Sequence, residues 1–423
     1  MMAKIQAIRG MHDILMQDTP SWQYLEESIS CILKQYAYQE IRLPIVEKTE
    51  LYRRSIGDNT DIVSKEMYSF DDRNEKSLTL RPEGTAGCVR AGIEHGLFHN
   101  QTQRLWYVGP MFRHERPQKG RQRQFHQIGV EAFGFAGPDI DAEQILMCAR
   151  IWKELNLNDI SLEINSLGTK ESRINYTKIL VDYFTSNKDK LDDDELVRLK
   201  QNPLRILDSK NPDIKTLISE SPTLDDHLDS DSADHFHAVK EILDSAEIKY
   251  KVNPRLVRGL DYYEKTVFEW ITTQLGSQGT VCAGGRYDSL VEHHGASTTP
   301  AIGFAMGLER LQELIDFSKI PDKQSPHVYL ILSGEKATGR GVLLAEQLRD
   351  QLSNLRLLTH CGNGSIKSQF KKADKSGAQI ALILAEDEMK KDQVSIKFLR
   401  SESSQASIKW SDIANFLRAR LIF

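Results

Sequence analysis

Residues 123–134 read RQFHQIGVEAFG. In a strand, successive side chains alternate and residues two apart share a face. The even positions His126, Ile128, Val130 and Ala132 then make a mostly apolar face, suited to a core. The odd positions Phe125, Gln127, Gly129 and Glu131 put an aromatic ring, an amide, a gap and a carboxylate on the other. A solvent-facing side more often carries Lys, Thr or Ser in no particular order, so this second face asks for a purpose.

Working outward, QRLWYVGPMFRHE (103–115) precedes it as a second strand, joined through the polar connection RPQKGRQ. The pair reads as an antiparallel hairpin with a long loop. Arg113 and Glu115 share the odd parity of Tyr107, Gly109 and Met111, which sets two charges at the loop end of the same face. A guanidinium fork matches a phosphate, an aromatic face stacks on a base, and a carboxylate accepts an N–H. The plainer alternative is a surface hairpin with an exposed ion pair. In LVRGLDYYEKTVFEW, Arg258 stands near Asp261, Tyr262 and Tyr263, which line either a polar pocket or a sheet margin.

Further strands are expected in IRLPIVEKTELY (Pro44 marking an edge or break), SLTLRPEG, ISLEINSLG, TVFEWITTQL and TVCAGGRYD. Helices are expected over 21–40, with Ser21 as N-cap, and in TAGCVRAGIEHGLF and DIDAEQILMCARIWKELNL. IGFAMGLERLQELI reads as a glycine-spaced helix entry with Arg310 one turn in. Residues 170–250 are helical in pattern and rich in Asp, Glu, Lys and Ser, as expected of an inserted module. Residues 316–326 are polar, carry two prolines and read as a linker. The tail beyond alternates strand-like and helical stretches, a small α/β domain.

The 423 residues are 40% hydrophobic and 27% charged, a globular composition with room for two or three domains. No apolar run is long enough to span a bilayer and the first residues lack a secretory h-region, so a cytoplasmic location without membrane contact is expected. Five scattered cysteines without a CxxC fit a reducing compartment and argue against a disulfide framework or a Cys-based zinc site. Histidines 227, 235, 237, 293 and 294 have no HExxH spacing and are expected on the surface, with no transition metal. The net charge of −5 is unevenly spread. Residues 325–423 hold 15 Lys or Arg against 10 Asp or Glu, a net +5 that leaves −10 on the first 324. Residues 111–124 add five basic residues against one acid, so a polyanion would meet two positive regions on an acidic body.

These motifs, in this order, resemble the class II aminoacyl-tRNA synthetases, and within them the histidyl-tRNA synthetase family. The carrying residues are Pro44 in IRLPIVE (similar to motif 1), FRHE at 112–115 with its basic loop (motif 2) and GLER at 307–310 (motif 3). LVRGLDYY and AGGRYD resemble the histidine-specific signatures. The resemblance implies an α+β catalytic domain over 1–325, built on an antiparallel six-stranded sheet with flanking helices. It implies a helical insertion at about 170–250, an α/β anticodon-binding domain over 326–423, and a homodimer.

It implies, further, that L-histidine and ATP are joined to histidyl-adenylate, with Mg²⁺ held mainly by the phosphates, and that histidine passes to its cognate tRNA. Arg113 and Arg258 would be the catalytic charges. Glu83, Gly84 and Thr85 (in RPEGT), Gln127, Glu131, Arg258, Tyr262 and Tyr263 would hold histidine, with Glu131 and Tyr263 bracketing the imidazole and Gly129 leaving room between them. Arg113, Glu115, Arg121, Phe125 and Arg310 would hold ATP, the adenine lying between Phe125 and Arg310. Arg116, Gln118 and Arg123 would track the tRNA acceptor end. The alternative within the resemblance is a regulatory subunit that binds histidine without charging tRNA; that class lacks the anticodon domain and keeps fewer of these arginines.

Overall fold

The hairpin forms as two ten-residue strands, Gln103–Phe112 and Gln124–Phe133, with Tyr107 opposite Gly129 and Met111 opposite Phe125. The computed structural model describes residues 4–421 apart from 59, 208, 210, 277–278, 318–324, 363 and 402–403, so most of the expected linker lies outside the described residues. The chain divides into two compact units, Met1–Phe317 and Ser318–Phe423.

In the first unit the strands are β1 (Gln39–Glu40), β2 (Val46–Lys48), β3 (Tyr68–Asp71), β4 (Ser77–Leu80), β5 (Gln103–Phe112), β6 (Gln124–Phe133), β7 (Ser161–Ser166), β8 (Tyr250–Val252), β9 (Glu264–Ile271), β10 (Thr280–Arg286) and β11 (Ala301–Gly307). The main sheet runs β1-β5-β6-β11-β10-β9-β7-β8. Its six central strands are all antiparallel, and a short parallel strand is added at each edge, β1 on β5 and β8 on β7. A separate three-stranded sheet orders β2-β4-β3.

The alternation read in β6 decides the layers. Ile128, Val130 and Ala132 are fully buried in a core shared with helix Thr19–Gln35 and helix Pro138–Glu154. Phe125 faces the other way, toward Tyr107, Met111, Tyr262, Tyr263 and Tyr287. Helix Thr19–Gln35 places Leu25, Ile29, Ile32 and Leu33 on one buried stripe. It starts two residues earlier than expected: Asp18 is the N-cap, Pro20 occupies the first turn, and the Ser21 hydroxyl donates to Asp18 O.

Two other expectations fail. TELY is the opening of helix Thr49–Ile56, not strand, so β2 is only three residues long. AIGFAMG is strand β11, and the helix is confined to Leu308–Gln312. A strand sandwiched between β6 and β10 is buried on both faces, so it shows no polar alternation to be read.

Between β7 and its parallel neighbour β8, the chain makes helices Lys170–Ser186, Asp193–Gln201, Lys215–Glu220 and Ser230–Ser245. The acidic run at 192–195 is a capping box: Asp192 accepts from Glu195 N, and Glu195 accepts from Asp192 N.

The second unit carries a five-stranded sheet. Its strands are β12 (Val328–Leu332), β13 (Leu357–Thr359), β14 (Ile380–Leu384), β15 (Gln393–Phe398) and the unforeseen β16 (Ala406–Lys409), ordered β13-β12-β14-β15-β16. Every residue of β12 and β14 is buried. Helices Glu335–Gln351 and Ile413–Arg420 cover one face, while Ala373 of helix Ile366–Lys375 packs on the other.

A buried charge cluster ties the first unit together. Arg286 at the end of β10 pairs with Asp141, and its Nη1 and Nη2 donate to Phe135 O and Gly137 O, each at 2.9 Å. Asp141 also bonds His235 Nε2 at 2.8 Å. His235 is therefore buried and partnered, not the surface residue expected; a histidine at the end of an acid's hydrogen bond leaves no trace in the linear spacing. Removing one member of a buried pair strands the other charge, at about 3–5 kcal/mol. Asp141→Ala is expected to destabilise the protein by about that amount in denaturant unfolding, and a loss below about 1 kcal/mol would show that Asp288 and the carbonyls suffice for Arg286.

Candidate active site

One cleft gathers most of the predicted residues: Glu83, Thr85, Arg113, Glu115, Arg121, Phe125, Gln127, Arg258, Tyr262, Tyr263 and Arg310 all line it. They come from five places, one of them the start of helix Thr85–Glu94, which supplies Glu83 and Thr85. Strand β6 supplies Phe125 and Gln127, the hairpin loop supplies Arg113, Glu115 and Arg121, the loop before β9 supplies Arg258 to Tyr263, and the short helix after β11 supplies Arg310.

Glu83 stands at the start of helix Thr85–Glu94 and accepts from Thr85 N (2.7 Å) and Ala86 N (3.0 Å). Carboxylates suit that position because the first helical N–H groups lack partners and the dipole is positive there. Burial nonetheless raises the Glu83 pKa above the ordinary carboxyl value.

Glu131 lies beneath the cleft rather than on its surface, 1% exposed. Its Oε1 accepts from Thr85 Oγ1 at 2.8 Å and from the Tyr107 hydroxyl at 3.1 Å, and its Oε2 accepts from the Tyr287 hydroxyl. Burial outweighs these donors and pushes its pKa up to about 8. Two glycines make this packing feasible. A Cβ on Gly303 would fall 1.7 Å from Glu131 Oε2, and one on Gly129 would fall 2.1 Å from Tyr107 Cζ. The gap at Gly129 is thus filled by the Tyr107 ring and leaves no room for a ligand, contrary to expectation. Gly84 meets the same ring, 2.2 Å from where its Cβ would be.

The amide of Gln127 lines the cleft, and its buried Oε1 has no partner among the described residues. An orphaned buried acceptor calls for a donor from a ligand.

Cations converge on the same space. Arg113 donates from Nε to Pro82 O at 2.9 Å and lies 5.3 Å from the Phe125 ring centroid. Arg121 pairs with Glu115, Arg258 with Glu269, and the Arg258 guanidinium sits 5.4 Å from the Tyr263 ring centroid. Arg310 donates to Gly120 O at 3.2 Å and to Thr280 O. Burial, then the like charges of Arg121 and Arg113, pull its pKa down to about 10. Burial also lowers Arg113 and Arg121 below the ordinary arginine value. Guanidinium groups that depress one another's pKa are arranged for an anion with several charges.

The structure does not gather everything. Arg116 and Gln118 are exposed on the hairpin loop, but Arg123 is half-buried and its Nε donates to Glu115 O at 3.2 Å inside the loop. Three residues were missed. Tyr287, in the quoted AGGRYD, was assigned no role, although it bonds Glu131. Glu309 accepts from His126 N through both oxygens at 2.9 Å and anchors the helix of Arg310 to β6. Glu269 orients Arg258 and accepts from Thr280 Oγ1 at 3.0 Å. The strand parity of TVFEW and TVCAGGRYD held the signal for Glu269 and Tyr287; Glu309 had none. Among the described residues no group of three or more His, Cys, Asp or Glu is arranged to hold a metal ion, and no helix is long and apolar enough to cross a membrane.

A six-stranded antiparallel sheet flanked by helices is the class II aminoacyl-tRNA synthetase fold. Residues 10–311 match the family model described as histidyl-tRNA synthetase, and residues 327–420 match one described as anticodon binding domain. The chain is 55% identical over 422 residues to the histidine–tRNA ligase of Hydrogenovibrio crunogenus, covering 100% of this chain and 99% of that one. It is 56% identical over 415 residues to that of Halorhodospira halophila, covering 98% of each. The apo histidyl-tRNA synthetase of S. aureus superposes with a TM-score of 0.81 at 33% identity, over 98% of this chain and 99% of that one. The chain belongs to the histidyl-tRNA synthetase family.

The raised Glu131 pKa has a sign. Between the ordinary value of 4.5 and about 8 the folded protein holds a proton that the unfolded chain has released. Its contribution to stability is therefore fully present below about pH 4.5 and lost as pH rises through about 8. Glu131→Gln is expected to flatten the fall of the unfolding midpoint between pH 5 and 8; identical pH profiles for variant and wild type would mean the carboxyl titrates normally.

Proposed function

We infer that the protein is a histidine–tRNA ligase: it joins L-histidine and ATP to histidyl-adenylate and pyrophosphate, then transfers histidine to the 3′-terminal ribose of its cognate tRNA. The observation that carries this reading is the pairing, in one cleft, of mutually repelling arginines with the orphaned Gln127 acceptor and the buried Glu131 beneath.

The first step needs no protein base, because the histidine carboxylate is ionised at neutral pH. A carboxylate oxygen bonds to the α-phosphorus, the bond to the bridging oxygen breaks, and pyrophosphate leaves with the electron pair. The site's task is positioning and positive charge. Arg113 and Arg258 supply the charge at the α-phosphate, and Arg121 meets the outer phosphates. Mg²⁺ enters with ATP as part of the substrate, riding on its phosphates. Phe125 and Arg310 flank the adenine, and Glu115 faces the nucleotide beside Arg121.

Glu83, Thr85 and Gln127 receive the substrate ammonium, with Gly84 keeping the backbone close. Tyr262 and Tyr263 form the wall beside the imidazole, and Tyr263 and Glu131 address its two nitrogens. A carboxylate has about four lone-pair positions and Glu131 uses three, which leaves one for a ring N–H. In the second step the ribose hydroxyl attacks the acyl carbon and AMP leaves. Arg116, Gln118 and Arg123 would track the acceptor end, residues 1–325 would form the catalytic domain, and the basic domain over 326–423 would take the anticodon. We further propose a cytoplasmic homodimer. Ile45, Val46 and Phe70, each 39–47% exposed on or beside the three-stranded sheet, supply an apolar surface for a second copy.

ATP–pyrophosphate exchange with each of the twenty amino acids, without tRNA, is expected to proceed with histidine alone. Histidine binding without exchange would instead indicate a regulatory protein. Arg258→Ala is expected to slow adenylate formation by ~10²-fold or more, the scale of one preorganised charge. An unchanged single-turnover rate would remove Arg258 from the chemistry.

A further inference from the structure

The helical segment between β7 and β8 holds the loop that carries Arg258, Tyr262 and Tyr263. Residues 253–263 of that loop are in neither helix nor strand, so their peptide groups need partners outside a ladder. The segment provides two of them, at Gly259 O and Tyr263 O. Arg173, on helix Lys170–Ser186, donates from its guanidinium to Tyr263 O. Arg205, in the turn Pro203–Ile206, donates from Nη2 to Gly259 O at 2.7 Å. Asn202 Nδ2 reaches Asp261 Oδ1 at 3.1 Å.

The grip is mutual. Arg255 at the loop's start donates to Pro222 O at 2.6 Å, to Ser219 O at 3.2 Å and to Ser221 O, all within the segment. On its other side the loop is tied to the sheet by Asn165 Nδ2 to Leu256 O at 3.1 Å and by the Arg258–Glu269 pair. The backbone bearing the catalytic guanidinium is therefore set between the sheet and the helical segment, with charged donors supplying the second hold. Gly259 directly follows Arg258, and Tyr263 O is the backbone carbonyl of the residue over whose ring Arg258 lies.

We propose that Arg173 and Arg205 are positioning residues for amino-acid activation. By fixing the carbonyls of Tyr263 and Gly259 they set where the Arg258 guanidinium and the Tyr263 ring stand, so the placement of the helical segment is felt at the phosphorus under attack. Neither residue touches substrate; each acts through the loop. A displacement of about 1 Å at a reacting group can cost ~10²-fold, which is ample leverage for two side chains. The inference rests on the role given above to Arg258.

The test uses the full-length protein, with ATP–pyrophosphate exchange and single-turnover adenylate formation on Arg173→Ala, Arg205→Ala and Arg205→Lys. The alanine variants are expected to lose ~10-fold or more in kcat with little change in KM for ATP, and the lysine variant, which keeps a cationic donor, to recover part of the loss. In an Arg258→Ala background the same substitutions are expected to lose most of their effect, since the group they position is gone; a general loss of structure would multiply through unchanged. Wild-type rates in both alanine variants, or an undiminished effect without Arg258, would overturn the proposal. An Arg258→Ala protein with the wild-type rate would instead sink the catalytic reading on which it stands. Should Arg173→Ala fail to fold by circular dichroism, Arg205→Lys and Asn202→Ala carry the same comparison.

Discussion

The register of β6 between β5 and β11 is the constraint on which the first unit depends. A central antiparallel strand is covered on both faces, and here only one face is apolar. The other face buries a carboxylate, an amide and an aromatic ring, and each polar group so buried costs unless something answers it. Glu131 is answered by three hydroxyls from three separate elements, which fixes those elements relative to one another. The close approach is made possible by glycines, Gly129 on β6 itself and Gly303 on the neighbouring β11, where any side chain would collide. A slip of one residue would turn Glu131 into the packed layer of Ile128 and Val130 and place those residues in the cleft. Fold and site therefore share one specification.

The arginines show the complementary tension. Burial, and then the like charges around them, lower the affinity of Arg121 and Arg310 for the proton, the cost of holding such charges in a partly dry space. The protein meets part of that work locally, through carbonyls of Pro82, Gly120 and Thr280 and the carboxylate of Glu115. A guanidinium has five donors, so one or two internal bonds orient it without exhausting it. What remains is directed positive charge with little reorganisation left to perform. Such sites spend stability on readiness, and the compensating stability comes from elsewhere, here from the apolar layer behind β6.

What could be read in the sequence followed from periodicity. The hairpin, the sidedness of β6 and the shared face of Arg113, Phe125 and Gln127 derive from a period of two and a polar loop, while Arg121 was placed with them only by the family resemblance. Where periodicity is silent, the reading failed. Strand β11, buried on both faces and built of small residues, imitates a helix entry. The edge strands β1 and β8 are too short to show any period. Gly129 was legible as a gap but not as to what fills it, because Tyr107 is its neighbour only through the register. His235 and Asp141 are 94 residues apart, and their bond is a product of tertiary packing alone. The ordered set of motifs carried the activity, since no single motif fixes a substrate.

Selection of histidine can be argued from the same burial. An apolar side chain of similar size entering the proposed pocket would face the last open position on Glu131 and would leave it unsatisfied. Sites that reject a substrate by leaving buried polar groups unpaired discriminate by ~10⁴-fold or more, whereas fit alone gives far less. The elevated Glu131 pKa works against this preference. Where the carboxyl holds its proton, accepting a ring N–H requires that proton to leave, and the work of releasing it is subtracted from the binding energy of histidine. An isostere without the N–H leaves the proton in place and meets no unpaired charge. The hydroxyls of Tyr287, Thr85 and Tyr107, which favour the ionised form against burial, are therefore what keeps Glu131 able to prefer one side chain.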